Sequence, residues 1–175
     1  GHKAVQDIFQ DEVLIEEKID GSQFSFGLID GVLHVRSKGR EFDVCACDDM
    51  FKKACETVRT LQTLLVPGWT YRGEYLNKNK HNALAYDRTP NGYIIIFDIS
   101  TGEESYLTHE EKQGQAKLLG LETVPLLFKG KIDNVEQIRT LLATKSILGG
   151  QLIEGVVIKN YSRFTQHKKV MMGKY

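Results

Sequence analysis

The dipeptide Asp30-Gly31 separates two strand-like runs, 24–29 and 32–37, and it limits what this chain can become more than any other feature. Both central positions of a two-residue hairpin turn need positive φ, which Gly adopts freely and Asp tolerates, so the pair predicts a β-hairpin. Further strand-like runs lie at 13–18, 70–76, 93–99, 153–160 and 170–175. Three helices interrupt them. Phe51, Ala54, Cys55, Val58, Leu61 and Leu65 recur at helical spacing after Asp48, a candidate N-cap, and Pro67-Gly68 ends that run. Thr108-His109-Glu110-Glu111 has the form of a capping box, with Gly120 closing the helix. Asp133 with Glu136 opens the third, which carries Val135, Ile138, Leu141 and Leu142 on one side. Strands outnumber helices and begin with a hairpin, so the expected class is α+β with mainly antiparallel sheets.

A chain of 175 residues holds one domain with a sizeable core, and we expect a single domain over 1–175. The strand-like run at 170–175 ends with the chain, so a further C-terminal module is expected beyond it. Lys plus Arg and Asp plus Glu number 23 each, giving zero formal charge. That balance excludes a strongly basic whole-chain nucleic-acid binder but leaves room for a local basic groove. The sequence has no apolar run long enough to span a bilayer and no signal pattern, so a soluble, cytoplasmic protein without a membrane partner is expected. Its three cysteines are Cys45, Cys47 and Cys55. No second Cys or Cys/His pair follows at zinc-ligand spacing, so reduced structural thiols are expected.

One lysine stands among three carboxylates in Glu16-Glu17-Lys18-Ile19-Asp20-Gly21, directly after the apolar run Val13-Leu14-Ile15. Alone, the KxDG pattern is a four-residue match that most often marks a solvated turn. It gains meaning from an ordered series of motifs further along the chain. Arg36-Ser37 comes after the hairpin, then Tyr71-Arg72-Gly73-Glu74 and Ile95-Ile96-Phe97-Asp98-Ile99. Glu154-Gly155-Val156-Val157-Ile158-Lys159 is next, and last a lysine-bearing run from Lys169 to Lys174. Asp98 is unusual in so apolar a strand, because a buried carboxylate is expensive unless paired. The ordered set resembles the nucleotidyltransferase motifs of ATP-dependent polynucleotide ligases. It is most similar to the RNA ligase branch of bacteriophages and kinetoplastid editing ligases, over about residues 12 to 175.

That resemblance implies an ATP-grasp-like nucleotidyltransferase fold, with antiparallel sheets flanked by helices and a nucleotide pocket between them. It implies that Lys18 attacks the α-phosphate of ATP, expels pyrophosphate and holds AMP, which then passes to a 5′-phosphate RNA end for joining to a 3′-OH. A lysine amine ordinarily titrates near about 10.4, so a nucleophilic one must be activated by burial or nearby positive charge. By the same resemblance Glu154 holds Mg²⁺ or Mn²⁺, and Asp20 and Gly21 complete the nucleotide-binding motif. Arg36 serves the ribose or the RNA end, with Arg40 as its competitor. Glu74 takes a ribose hydroxyl, Phe97 stacks on adenine, Glu17 makes an adenine contact, and Lys159 lies near the adenine edge or the phosphates. By strand alternation Lys159 should face away from Glu154 unless a bulge intervenes.

The family's last motif has two lysines in a KxK arrangement, and here the sequence departs from it. Met172 stands where an alternate lysine would, leaving Lys168, Lys169 and Lys174 as candidates for the phosphate contact, Lys174 foremost. The implied partners are RNA ends, a nicked duplex being one form, and no obligate protein partner is implied. Three alternatives share parts of this pattern: a DNA ligase, a capping guanylyltransferase and a non-catalytic nucleotide- or RNA-binding module. The fourth motif begins with glutamate where capping enzymes usually have aspartate. Trp69 is the one tryptophan, and none accompanies the final lysines.

Overall fold

In the computed structural model, which describes residues 12–78, 80–81 and 84–160, strand β1 (Val13–Lys18) is followed by the hairpin β2 (Ser22–Ile29) and β3 (Val32–Ser37). Asp30 and Gly31 take φ of 52° and 77°, and Ile29 pairs with Val32 across the turn. A short β4 (Arg40–Phe42), not expected from the sequence, extends the sheet from β3. Helix α1 (Lys52–Leu61) buries Ala54, Cys55 and Val58 as its spacing predicts.

The start of α1 departs from expectation. A 3₁₀ turn, Asp49–Phe51, precedes it, and the Asp48 side chain makes no capping bond. The Asp48 carboxylate is instead held by Arg40 at 3.0 Å. The thiols depart as well: Cys47 and Cys55 form a disulfide where reduced cysteines were expected, and Cys45 is free and exposed. The turn before α1 brings their Cα atoms to 6.6 Å, within the bridging range.

The chain continues through β5 (Thr70–Tyr75), the small pair β6 (Lys80–His81) and β7 (Leu84–Ala85), β8 (Ile94–Gly102) and β9 (Ser105–Tyr106). Helix α2 (His109–Leu118) opens with the expected capping box. The Thr108 hydroxyl accepts from the Glu111 amide, and the Glu111 carboxylate accepts from the Thr108 amide. Gly120 closes the helix at φ 70°. Next come β10 (Glu122–Thr123), β11 (Leu126–Gly130), α3 (Val135–Leu141) and β12 (Gly155–Lys159). Asn134 caps α3, not Asp133, because the Asn134 carbonyl oxygen accepts from the Gln137 amide while Gln137 answers the Asn134 amide. The expected strand at 170–175 lies outside the described residues. Among the described residues no helix is long and apolar enough to cross a membrane.

These elements form two compact units. The first joins the segment through Ile19 to the segment from Val124. Its sheet has the order β11-β1-β12, all antiparallel, and Val13, Ile15, Val156 and Ile158 pack with Ile138 of α3. The second, Asp20–Thr123, has the order β10-β8-β5-β2-β3-β4, with β9 on β8. Its pairings are antiparallel except β10 with β8.

One face of the larger sheet presents Phe24, Phe26, Leu33, Val35, Tyr71 and Tyr75 to α1 and α2. Phe26 stacks on Tyr71 with ring centroids 5.2 Å apart, a contact worth about 0.5–1.5 kcal/mol beyond area burial. Strand alternation puts Ser25, Arg36, Arg72 and Glu74 on the opposite face.

The centre of that sheet tolerates no side chain at Gly73. A Cβ there would meet the Ile95 carbonyl oxygen at 2.5 Å and the Ile94 side chain at 2.9 Å, and a backbone oxygen in a ladder cannot retreat. Gly73→Ala is therefore expected to lower unfolding free energy by about 1–3 kcal/mol in urea titrations. Gly114, in α2 with nothing within 4 Å, supplies the opposite control: Gly114→Ala should raise stability by about 0.5–1 kcal/mol.

Candidate active site

In the smaller unit the site is assembled by two pairings of β1. Its edge against β12 sets Glu16 opposite Val157, Glu17 opposite Val156 and Lys18 opposite Gly155. Val13 and Ile15 point into the core, so by alternation Leu14, Glu16 and Lys18 share the other face. There the Lys159 amine is ion-paired with Glu16, both side chains being almost fully buried. The Lys18 amine lies 3.9 Å from a Glu154 carboxylate oxygen, and its side chain keeps 28% of its surface exposed. The opposition expected between Glu154 and Lys159 does not arise, because Glu154 sits in a bend ahead of β12 and strand alternation does not reach it. The two glutamates and two lysines interleave along one strand pair.

Glu17 points the other way. One carboxylate oxygen accepts from the Ser146 hydroxyl at 2.6 Å and the other from the Ile147 amide at 2.9 Å. Burial pushes this carboxyl above its ordinary value, and the two hydrogen bonds offset that only in part. Glu17 thus ties β1 to the 146–147 turn, so a side-chain contact with adenine would compete with two existing bonds. Its backbone amide donates to Pro125.

The KxDG motif crosses the unit boundary: Lys18 belongs to the smaller unit, Asp20 and Gly21 to the larger. The Asp20 amide donates to the Tyr86 hydroxyl at 2.8 Å. A Cβ at Gly21 would stand 2.8 Å from the Tyr75 carbonyl oxygen, so the motif's glycine is required by close backbone approach. Arg36 is exposed on β3 opposite Ser25. Arg40 is engaged, both with Asp48 and over the Phe42 ring at 5.0 Å, which favours Arg36 as the arginine open to a ligand. Glu74 on β5 is half-buried, opposite Gln23 and Ile95.

Phe97 is half-buried in a strand whose neighbours on both sides, Ile94 to Ile96 and Asp98 to Ser100, are buried, and it is absent from the core that Ile94, Ile96 and Ile99 join. Lys168, Lys169 and Lys174 fall outside the described residues. Sequence reasoning assigned no role to Glu16 or Ser146. Glu16 could have been found from its period-two relation to Lys18, whereas nothing in the sequence brings Ser146 to Glu17.

Among the described residues no cluster of three or more His, Cys, Asp or Glu side chains could hold a metal ion by itself. Mg²⁺ bound through one carboxylate, retained waters and substrate phosphates needs no such cluster, and Glu154 beside Lys18 fits that mode.

A family model described as RNA ligase matches residues 11–175. The fold is similar to that of Naegleria gruberi RNA ligase, solved with PPi, at TM-score 0.68 and 21% identity, covering 91% of this chain and 50% of that one. A mutant of the same ligase with ATP and Mn matches at TM-score 0.67 and 21% identity, over 91% of this chain and 48% of that one. A mutant with AMP and Mn matches at 0.64 and 21%, over 89% and 48%. The chain spans about half the length of the solved chains it matches. No curated protein is matched.

Two measurements probe the electrostatics of the smaller unit. Glu16→Leu leaves Lys159 buried without that carboxylate and should cost about 3–5 kcal/mol, whereas adding Lys159→Met should return most of the loss. If the double variant is no more stable than the single, the pair does not work as described. For Glu17 the sign follows from its raised value. The stability it contributes is fully present below the ordinary 4.5 and is lost as pH rises through the higher folded value. Relative to Glu17→Gln, which cannot ionise, the wild type should lose urea resistance as pH rises above the ordinary 4.5.

Proposed function

The chain belongs to the RNA ligase family, and from that premise we propose that it carries the ATP-dependent nucleotidyltransferase step of RNA end joining. The observation that carries the reading is the pairing of β1 with β12, which sets a partly exposed Lys18 amine 3.9 Å from Glu154 in a buried, charge-balanced surround.

The Lys18 nitrogen, once deprotonated, attacks the α-phosphorus of ATP. A P–N bond forms, the bond to the bridging oxygen breaks, and pyrophosphate leaves with that electron pair. A 5′-phosphate oxygen of an RNA end then attacks the same phosphorus, breaking the P–N bond and returning the lysine. Attack by a 3′-OH on the activated end closes the phosphodiester and releases AMP. Glu154 orients the Lys18 amine and is the residue that would hold Mg²⁺ or Mn²⁺. When bound, such an ion neutralises phosphate charge as bond order changes.

The buried Lys159–Glu16 pair lies on the Lys18 face and adds no net charge there. In the larger unit we assign adenine stacking to Phe97, a ribose hydroxyl to Glu74, and the ribose or RNA end to Arg36, with Asp20 and Gly21 shaping the turn after the nucleophile. Lys174 is the first choice for a phosphate contact among the final lysines. The substrates on this reading are ATP and RNA ends bearing 5′-phosphate and 3′-OH, in a nicked duplex or otherwise.

Incubation with ATP and Mg²⁺ followed by intact-mass measurement should add one AMP, mapped to Lys18 after digestion. Lys18→Ala should abolish the adduct. Glu154→Gln should fold yet label at least about a hundredfold more slowly, as losses of single electrostatic groups do in other enzymes. Labelling with GTP as strong as with ATP would move the reading toward a capping enzyme, and an adduct retained in Lys18→Ala would end it.

A further inference from the structure

The ladder between β5 and β8 is not continuous. Arg72 pairs with Asp98 and Gly73 with Ile96, so Phe97 is the residue skipped at the register shift. A bulge of this kind leaves one residue out of the alternation and re-aims its side chain. That accounts for Phe97 being half-exposed while Ile94, Ile96 and Ile99 point into the core. A bulge also disrupts the local hydrogen-bond pattern, and a contact from outside the β5 ladder lends its backbone support.

Helix α2 supplies that support. Lys112, 1% exposed near the start of the helix, reaches β8 and donates from Nζ to the Phe97 carbonyl oxygen at 3.1 Å. Desolvating a lysine amine is costly even where it is paired, and a cation near a helix N-terminus gains nothing from the helix dipole. An apolar side chain would fill the same space at less cost to folding. The placement therefore points away from simple packing. The capping box at Thr108 fixes the start of α2, and with it the distance from the helix to the bulge. Capping box, buried lysine and bulge carbonyl form a continuous connection ending at one aromatic side chain.

We propose that Lys112 is a positioning residue for the nucleotide. By holding the bulge carbonyl it sets the orientation of the Phe97 ring, and through that ring the affinity for the adenine of ATP. The proposal rests on the assignment of Phe97 to adenine under the proposed function. Lys112 itself touches no substrate.

The test is a double-mutant cycle read in the KM for ATP and kcat of self-adenylylation. The variants are Phe97→Ala, Lys112→Met, both together, and Lys112→Gln, each checked for a cooperative thermal melt. Met keeps the length and removes the donor, while Gln keeps a donor. Phe97→Ala is expected to raise KM about tenfold, as loss of one base-stacking aromatic does. Lys112→Met should raise KM by a similar factor with kcat changed less than about twofold, the double variant should be no worse than either single, and Lys112→Gln should recover part of the loss.

If Phe97→Ala leaves KM unchanged, the adenine assignment fails and takes this proposal with it. If Phe97→Ala raises KM while Lys112→Met does not, or the two effects multiply, the assignment stands and the positioning role is overturned. A fall in kcat alone for Lys112→Met would likewise overturn it. Should Lys112→Met not fold, Lys112→Leu, which also removes the donor, decides: a KM equal to that of Phe97→Ala supports the connection, and a wild-type KM overturns it.

Discussion

Strand β1 is hydrogen-bonded on both edges, to β11 on one side and β12 on the other, and the arrangement of the smaller unit follows from this. Six residues must satisfy two ladders, contribute Val13 and Ile15 to a core, and carry charge on the opposite face. The pairing with β12 joins segments well over a hundred residues apart, so its loop-closure entropy must be met by local gains. Apolar burial on the core face supplies them. The charged face supplies little net stability, because desolvation of Glu16 and Lys159 offsets most of their attraction. What that pair provides is register. A one-residue slip of β12 would carry Lys159 to the core face and separate it from Glu16.

Register matters because the ends of these strands carry the candidate site. Lys18 is the last residue of β1, and Glu154 immediately precedes β12. Each lies where the ladder stops and a side chain can leave the plane, yet each is anchored by rigid pairing one residue away. Glu17 adds a second anchor on the other face through Ser146 and Ile147. A lysine in the middle of a ladder would be held as firmly but enclosed. One in a free loop would be accessible but poorly directed.

Much of the larger unit could be read from sequence, since its signals are local. Asp30-Gly31, the spacing of Phe51, Ala54, Cys55 and Val58, and the Thr108 capping box depend on residues a few positions apart, and the structure bears each out. The failures are the features set by the path of a turn or by pairing with another strand. Asp48 reads as a cap until Arg40 takes its carboxylate, and the Cys47–Cys55 bridge depends on a turn whose path no spacing rule gives. Strands β4, β10 and β11 are short and acquire their identity from the neighbours they pair with. In the site, the order of motifs pointed to Lys18 and Glu154, and the structure brings them together. Glu16 shares the Lys18 face by alternation, which the sequence could have shown, but its partner Lys159 comes from across a strand pair.

The structure also explains where alternation along the strands gives way. Lys159 and Glu154 were expected on opposite faces, but Glu154 lies before the strand and escapes the alternation. The register shift at Phe97 lets Ile96 and Ile99, three positions apart, both face the core. In both cases the period-two rule holds wherever the ladder is continuous and fails at its end or its bulge. Where the ladder is continuous the alternation decides the face, and it sets Ser25, Arg36, Arg72 and Glu74 opposite the aromatic core. At the end of a ladder or at a bulge that constraint is released, and Glu154 and Phe97 lie at such places.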